Sequence, residues 1–254
     1  VIHLAARVHV VNDAAADMLA EFRKVNVDAT LNLAQQAAKA GVARFIFISS
    51  IKVNGEETAP NHPFTETQAA SPQDAYAQSK HEAEQGLMRI SRQTGMALVI
   101  IRPPLVYGAG VKANFADMLQ VVKSGVPLPF AAIRNKRSFV YLGNLVSLIK
   151  CCMTHPAAAN QVFLVSDGQD LSTPQLLRLC AAALGVKARL LSVPEKVIKW
   201  LAILCGKRTA AEKLCGNLQV DTGKARTMLG WVPPFTVEEG LRNTAQGLCE
   251  MDKP

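Results

Sequence analysis

The sequence lacks the features of several broad protein classes. No run of about 18 apolar residues occurs, so no membrane-spanning helix is predicted. Its first residues lack the basic and apolar segments of a secretion signal. Six cysteines occur without a C-x-x-C pair and without metal-ligand spacing to a histidine. We therefore predict reduced core cysteines, no metal site and a cytoplasmic protein.

The charged residues are scattered rather than clustered. The formal net charge is +8, yet no run of Lys or Arg occurs, so nucleic acid is not a predicted partner. A small anionic ligand such as a diphosphate suits this charge, and solubility alone accounts for it equally well. The longest apolar segment, residues 197–205, is interrupted by Lys199 and is predicted to be a buried helix rather than a membrane contact.

A glycine-rich turn of the form G-x-x-G-x-x-G or G-x-G-x-x-G is also absent. A bound dinucleotide needs such a turn after the first strand, where its pyrophosphate meets the N-terminus of a helix. The chain begins inside a predicted strand at residues 1–4 and has no initiating methionine. We therefore expect a chain that lacks part of a dinucleotide site and that binds such a cofactor weakly on its own.

Hydrophobic periodicity predicts strands that alternate with helices through residue 102. Strands are predicted at 1–4, 44–49 and 97–102, and helices at about 20–40 and 72–94 lie between them. This alternation predicts a parallel sheet with right-handed crossovers. The later predicted elements are strands at 138–141 and 161–166 and helices near 113–124, 144–154, 172–184, 194–204, 221–229 and 236–249.

One set of polar residues fits hydride chemistry at a carbinol carbon. Tyr76 and Lys80 are four residues apart, which places them on one face of a helix. A cation one turn away is predicted to lower the tyrosine pKa, ordinarily near ~10, so that the phenolate can act as a base. Ser50 ends a predicted buried strand and can hydrogen-bond the same substrate oxygen. Ser71 and Pro72 are predicted to begin the helix that carries the pair.

The Tyr–Lys spacing alone is a weak signal, because it also occurs on ordinary solvated helices. Its position at the ends of parallel strands strengthens it, since open α/β sheets bind ligands there. Further motifs lie at residues 1–6, 48–55, 102–108, 136–141 and 221–231. With these motifs the sequence resembles the extended short-chain dehydrogenase/reductase superfamily, and in particular its NAD-dependent epimerases and dehydratases of the UDP-glucose 4-epimerase type.

The resemblance implies a Rossmann-type doubly wound parallel sheet with a small, mostly helical C-terminal substrate lobe. Residues 1–110 would be the remainder of the NAD-binding domain, and residues 111–254 would form mainly the substrate lobe. The strand at 161–166 and its neighbouring helix would return to the first domain. Family members carry further strands and the glycine loop ahead of the segment that begins here, so we expect an N-terminal truncation.

The resemblance also implies roles for individual residues. Ser50, Tyr76 and Lys80 would be catalytic, and Ser50, Asn114 and Arg137 would bind the substrate. The implied contacts to NAD are Leu4, Ala5, Ala6, Asn26, Ser49, Tyr76, Lys80, Pro103, Pro104 and Val106. From their positions in the predicted fold, Arg102 is expected to pair within the protein and His3 to be a core histidine.

The implied activity is NAD-dependent oxidoreduction at C4 of a nucleotide sugar, with 4-epimerisation favoured. The alternatives are a 4-keto-sugar reductase of surface-polysaccharide synthesis, a dehydrogenase of hydrophobic alcohols and a non-catalytic binding module. Family dehydratases carry Asp-Glu directly after the catalytic hydroxyl residue, whereas Ile51 and Lys52 stand here, which disfavours dehydration. NADP stays open as the cofactor, and the resemblance implies a homodimer through helices 20–40 and 72–94.

Overall fold

A computed structural model describes residues 1–8, 17–111, 114–204, 206 and 208–251. Its main sheet has four parallel strands in the order β1-β2-β3-β6, and a second pair, β4-β5, is also parallel. The strands are β1 (Ile2–His3), β2 (Arg44–Ile48), β3 (Ala97–Arg102), β4 (Leu105–Tyr107), β5 (Phe139–Tyr141) and β6 (Gln161–Leu164). The prediction of a parallel α/β sheet is confirmed.

Helices connect and cover the strands. They are α1 (Met18–Arg23), α2 (Thr30–Lys39), α3 (Ala75–Thr94), α4 (Asn114–Lys123), α5 (Leu142–Thr154), α6 (Thr173–Ala183), α7 (Glu195–Leu204), α8 (Arg208–Cys215), α9 (Gly223–Leu229) and α10 (Val237–Met251). A π-helical segment, Lys24–Ala29, joins α1 to α2. The predicted helix over 20–40 is therefore present, but one turn is wound more widely than an α-helix.

The sheet is covered on both faces because alternate residues of β2 and β3 point in opposite directions. Ile46, Val99 and Ile101 pack in a cluster with residues of α5. Phe45, Phe47, Leu98 and Ile100 pack instead with residues of α2 and α3. Burial on both faces explains why these strands are continuous apolar runs in the sequence.

The helix that carries Tyr76 begins later than predicted. Its N-cap is Asp74, whose carboxylate accepts a hydrogen bond from the Ala77 amide at 2.7 Å. The amide of Ser71 donates instead to the Val53 carbonyl at 2.9 Å. The predicted cap at Ser71–Pro72 is therefore wrong, and Tyr76 lies in the first turn of α3 rather than the second. A capping carboxylate that also pairs with a cation outcompetes a serine three residues earlier.

A buried ion pair ties α3 to the end of β3. Arg102 donates to both carboxylate oxygens of Glu84, at 2.9 and 2.5 Å, and to the Asn54 side chain at 2.9 Å. Glu84 is fully buried, and Arg102 is 6% exposed. The prediction that Arg102 pairs within the fold is confirmed.

Other core predictions are confirmed in the same way. His3 is buried, and its Nε2 lies 2.9 Å from the Thr30 hydroxyl. Cys151, Cys152, Cys180 and Cys215 are free thiols, and Cys205 and the side chain of Cys249 lie outside the described residues.

The C-terminal part contains two further apolar clusters. One joins residues of α4, α6 and α10, and a smaller one contains Ile133, Ile198 and Cys215. The sequence did not predict β4 or α8. The sequence analysis also predicted that residues 197–205 form a buried helix. The helix is present as α7, but the prediction of burial is wrong for most of it, since Trp200 is 60% and Leu204 is 65% exposed. The division into two domains near residue 110 stays a prediction.

None of the described helices is long and apolar enough to cross a membrane.

Candidate active site

The three predicted catalytic residues converge at the carboxyl end of β2. Ser50 follows the strand in extended conformation, and its hydroxyl accepts a hydrogen bond from the Lys52 amide at 3.3 Å. Tyr76, from the first turn of α3, lies close enough to Ser50 for the serine hydroxyl to lower the pKa of the phenol. The ammonium of Lys80, one turn further along α3, donates to the carbonyl of Ile48 at 2.8 Å. The strand end and the helix therefore bring Ser50, Tyr76 and Lys80 to the same edge of the sheet.

The environment of Tyr76 differs from the sequence prediction. Burial raises the pKa of the phenol, while the charge of Lys52 and the hydroxyl of Ser50 lower it and the charge of Asp74 raises it. The net shift is upward, so the predicted lowering by Lys80 is not seen in this arrangement. Burial outweighs the nearby charges because a phenolate loses more solvation than a phenol when water is removed.

Lys80 is held in an unusual setting for a lysine. Its side chain is 2% exposed, and its ammonium lies 4.4 Å from the centre of the Phe47 ring. Burial lowers the pKa of Lys80 to about 8, against an opposing effect from the charge of Glu84. A buried lysine whose one described hydrogen bond goes to a carbonyl retains donors for a bound group.

This pKa predicts a distinct dependence of stability on pH. Between about pH 8 and the ordinary lysine value of 10.5, the unfolded chain holds a proton on Lys80 that the folded chain has released, so stability rises with pH. We expect the free energy of unfolding of the wild type, relative to Lys80→Met, to rise by up to about 3 kcal/mol across that range, since one pKa unit corresponds to about 1.4 kcal/mol.

Urea denaturation at pH 7.5, 9 and 10.5 measures this difference. The exposed Lys150→Met variant is the control and should follow the wild type at all three values. A difference between wild type and Lys80→Met that stays constant across the range would contradict the assignment.

Lys52 is a site residue that sequence reasoning used only to argue against dehydration. Its ammonium bonds Glu56 at 3.0 Å and also pairs with Asp74, the N-cap of α3. It therefore joins the turn that carries Ser50 to the start of the helix that carries Tyr76. The signal in the sequence was a basic residue two positions after Ser50, because the partner Asp74 lies 22 residues away in sequence.

Asn26, predicted to support the cofactor site, lies in the π-helical segment and is 1% exposed. Its side chain exchanges two hydrogen bonds with the backbone of Arg7, at 2.8 and 3.0 Å. It also donates to the Ser79 hydroxyl at 3.0 Å. Asn26 therefore fixes the backbone that follows β1 against α3. Its position in a π-helical segment also fits a functional role, because π-helical turns often occur at functional sites.

The remaining residues predicted to contact NAD surround the same strand ends. Leu4 and Ala5 are exposed directly after β1, and Ala6 is half-buried. Pro103 and Pro104 are buried after β3, and Val106 of β4 is half-buried.

Ser49 supplies a test of whether this region suits a dinucleotide. Its hydroxyl is buried at the end of β2 and has no hydrogen-bond partner among the described residues. A buried hydroxyl without a partner is costly, and an added ligand with polar groups would satisfy it. Together with the donors that Lys80 retains, the residues present fit a hydroxyl-rich cofactor such as NAD.

Arg137 bonds to the protein backbone in this structure. Its guanidinium donates to the Gly216 carbonyl at 3.1 Å. Burial lowers its pKa, and the charges of Glu57 and Glu56 raise it. Asn114 begins α4, but its side chain lies outside the described residues. Contact of either residue with a substrate phosphate stays a prediction.

Among the described residues, no group of three His, Cys, Asp or Glu is arranged to hold a metal ion.

A parallel sheet covered on both faces, with Ser, Tyr and Lys together at its carboxyl edge, defines the class as an extended short-chain dehydrogenase/reductase. The sequence profile of the NAD-dependent epimerase/dehydratase family matches residues 1–166. The chain therefore belongs to this family.

Two curated relatives lie close in sequence. A UDP-glucose 4-epimerase of Vibrio cholerae is 49% identical over 251 residues, which is 98% of this chain and 76% of that protein. An N-acetyl-alpha-D-glucosaminyl-diphospho-ditrans,octacis-undecaprenol 4-epimerase of Escherichia coli O157:H7 is 30% identical over 87% of this chain and 70% of that protein.

Solved structures share the fold. A UDP-glucose 4-epimerase of Thermotoga maritima, solved with UDP-glucose, superimposes with a TM-score of 0.76 at 23% identity. The match covers 99% of this chain and 77% of that one.

Proposed function

We propose that this protein catalyses NAD-dependent 4-epimerisation of a UDP-linked hexose. The observation that carries the proposal is the convergence of Ser50, Tyr76 and Lys80 at one strand end. The 49% identity to a UDP-glucose 4-epimerase over nearly the whole chain supports the substrate class. The alternatives of a keto-sugar reductase or a binding module lack a comparable supporting observation.

Tyr76 is the group that moves the substrate proton. In the proposed reaction its phenolate accepts the proton of the 4-hydroxyl and later returns it to the C4 oxygen. Ser50 lies beside the phenol and donates a hydrogen bond to the same oxygen, which stabilises charge there. The Ser50 hydroxyl and Lys52 both favour the phenolate, and exclusion of water by burial strengthens their effect.

Lys80, Ser49 and Asn26 would serve the cofactor. When bound, NAD supplies the hydride acceptor and donor for C4. Lys80 can offer its remaining donors to ribose hydroxyls of the cofactor. A bound cofactor would supply the hydrogen-bond partner that the buried Ser49 hydroxyl lacks among the described residues. Asn26 keeps the backbone after β1 in place.

Interconversion of the C4 epimers tests the proposal. The full-length protein is incubated with NAD and either UDP-glucose or UDP-N-acetylglucosamine, and the sugar signals are followed by proton NMR. We expect the C4 epimer to accumulate to an equilibrium mixture from at least one of the two substrates. NAD binding without any epimer formed from either sugar would contradict the proposal.

Lys52 predicts a shift in the pH profile of this activity. Its charge lowers the pKa of Tyr76, so Lys52→Met should raise that pKa and move the rise of kcat/KM to higher pH. Lys52→Arg keeps the charge and should restore a profile close to that of the wild type. An unshifted profile for Lys52→Met, with only a uniform loss of rate, would mean that Lys52 acts through packing alone.

We also propose that the protein forms a homodimer through α1, α2 and α3 and that it acts in the cytoplasm. Both proposals rest on the family resemblance. Light scattering of the purified protein gives the oligomeric state.

A further inference from the structure

Helix α7 presents two different apolar faces. Ile198 is 8% exposed and Ala202 is half-buried, and these residues face the lobe at a spacing of four. A second stripe at i, i+3, i+4 and i+7 faces solvent. It consists of Val197, Trp200, Leu201 and Leu204, which are 42, 60, 47 and 65% exposed. We call these four residues the outer stripe. One helical stripe therefore holds α7 to the protein, and another remains available.

The sequence segment that carries the outer stripe has an excess of basic residues. From residue 195 to residue 213 the sequence contains five Lys or Arg and two Glu. Both glutamates are already paired, Glu195 with Lys199 and Glu212 with Arg208, each at 2.7 Å. Lys196 is exposed next to the stripe and adds to the excess of positive charge.

This combination matches a membrane surface better than it matches a second protein copy. An identical copy would bring an equal excess of positive charge against the stripe, and like charges oppose association. Anionic lipid headgroups would instead attract the lysines, while the apolar side chains enter the boundary between headgroups and acyl chains. Tryptophan is enriched at that depth because its ring is both apolar and able to donate a hydrogen bond.

The helix is also connected to the predicted substrate region. Ile198 packs with Ile133 and Cys215, and the Gly216 carbonyl that follows α8 accepts the hydrogen bond from Arg137. The outer stripe thus lies on the outside of the unit that holds Arg137. A protein resting on this face would hold its substrate lobe close to the bilayer.

We infer that α7 lies on the surface of an anionic lipid bilayer through its outer stripe and the lysines beside it, as a peripheral contact. The inference is independent of the sugar on which the enzyme acts.

The two tryptophans of the chain make this contact measurable. Trp231 is 7% exposed, and its indole nitrogen lies 3.2 Å from the Ser147 hydroxyl, so added vesicles should not change its emission. Trp200 is exposed and would leave water on binding. We expect a blue shift of tryptophan emission and co-sedimentation with phosphatidylglycerol-containing vesicles. Both signals should be much weaker with pure phosphatidylcholine, and salt should reduce them.

A paired set of variants separates the outer stripe from other exposed apolar residues. Leu201→Ser with Leu204→Ser keeps Trp200 as the reporter and should lower vesicle partitioning at least tenfold. The control is Val146→Ser with Met153→Ser, which changes two exposed residues of α5 (44 and 50% exposed) and should partition like the wild type. Circular dichroism shows whether each variant is folded.

Two results would overturn the inference. One is an unchanged emission maximum and no sedimentation with vesicles of either composition. The other is self-association in the absence of lipid, seen by light scattering and lost in the Leu201→Ser/Leu204→Ser variant, which would assign the stripe to a second copy of the chain.

Discussion

Replacing Tyr76 with phenylalanine is expected to lower the epimerisation rate by about 10²–10⁴, the range typical for loss of a general acid or base. The variant keeps the aromatic ring, which packs edge-on against Phe22 with centroids 6.1 Å apart, so the fold should be unaffected. Steady-state assays of the full-length protein with saturating NAD measure the effect. The loss should appear in kcat, because the hydroxyl acts on the reacting oxygen.

Tyr141→Phe is the matched control for this substitution. It also removes a phenol hydroxyl, which accepts a hydrogen bond from Asn243 at 3.1 Å far along the chain from the catalytic residues. Its rate should stay close to that of the wild type. Equal rates for Tyr76→Phe and Tyr141→Phe would remove Tyr76 from the mechanism.

The largest effect on stability is expected from Glu84→Ala. Loss of this carboxylate leaves the buried guanidinium of Arg102 without its ion-pair partner, and among the described residues the Asn54 side chain alone still accepts a hydrogen bond from it. Breaking a buried pair from one side costs about 3–5 kcal/mol, because the remaining charge is uncompensated. Urea denaturation should show a lower midpoint with an unchanged slope.

Glu82→Ala, two residues earlier on the same helix, is the control. Glu82 pairs with Arg23 at the surface, where the Arg23 side chain is 46% exposed, and such pairs contribute about 0–1 kcal/mol. A cost for Glu84→Ala no greater than that for Glu82→Ala would show that Arg102 finds another partner or reaches water.

The central strands could be predicted from the sequence because each is an apolar run with a sharp boundary. Arg44–Ile48 and Ala97–Arg102 match their predicted ranges within one residue. A strand that is buried on both faces is a continuous apolar run in the sequence, whichever elements cover it in the fold. The positions of Ser50, Tyr76 and Lys80 followed from these boundaries and from a spacing of four on a helix.

The start of α3 could not be predicted with the same certainty. Ser71–Pro72 and Asp74 are both good helix starts by composition. The choice between them depends on Lys52, which pairs with Asp74 from the turn after β2. A contact between elements of this kind has no local sequence signature.

The electrostatics of the site were the least predictable part. Helical spacing indicated a cation close to Tyr76, but the direction of the pKa shift depends on burial, which the spacing does not give.

The exposed face of α7 is a similar case. Apolar residues at 197, 198, 200 and 201 mark two stripes, and only the packing of Ile198 shows which of them faces the protein.

Retention of the hydrogen at C4 tests the central claim most directly. The full-length protein is given NAD and UDP-galactose that carries deuterium at C4, and the UDP-glucose formed is examined by NMR and mass spectrometry. If hydride leaves C4 and returns to the same carbon while Tyr76 handles only the oxygen-bound proton, the product keeps its deuterium at C4. Product that has lost the deuterium to solvent, or that gains it at another carbon, would contradict the account.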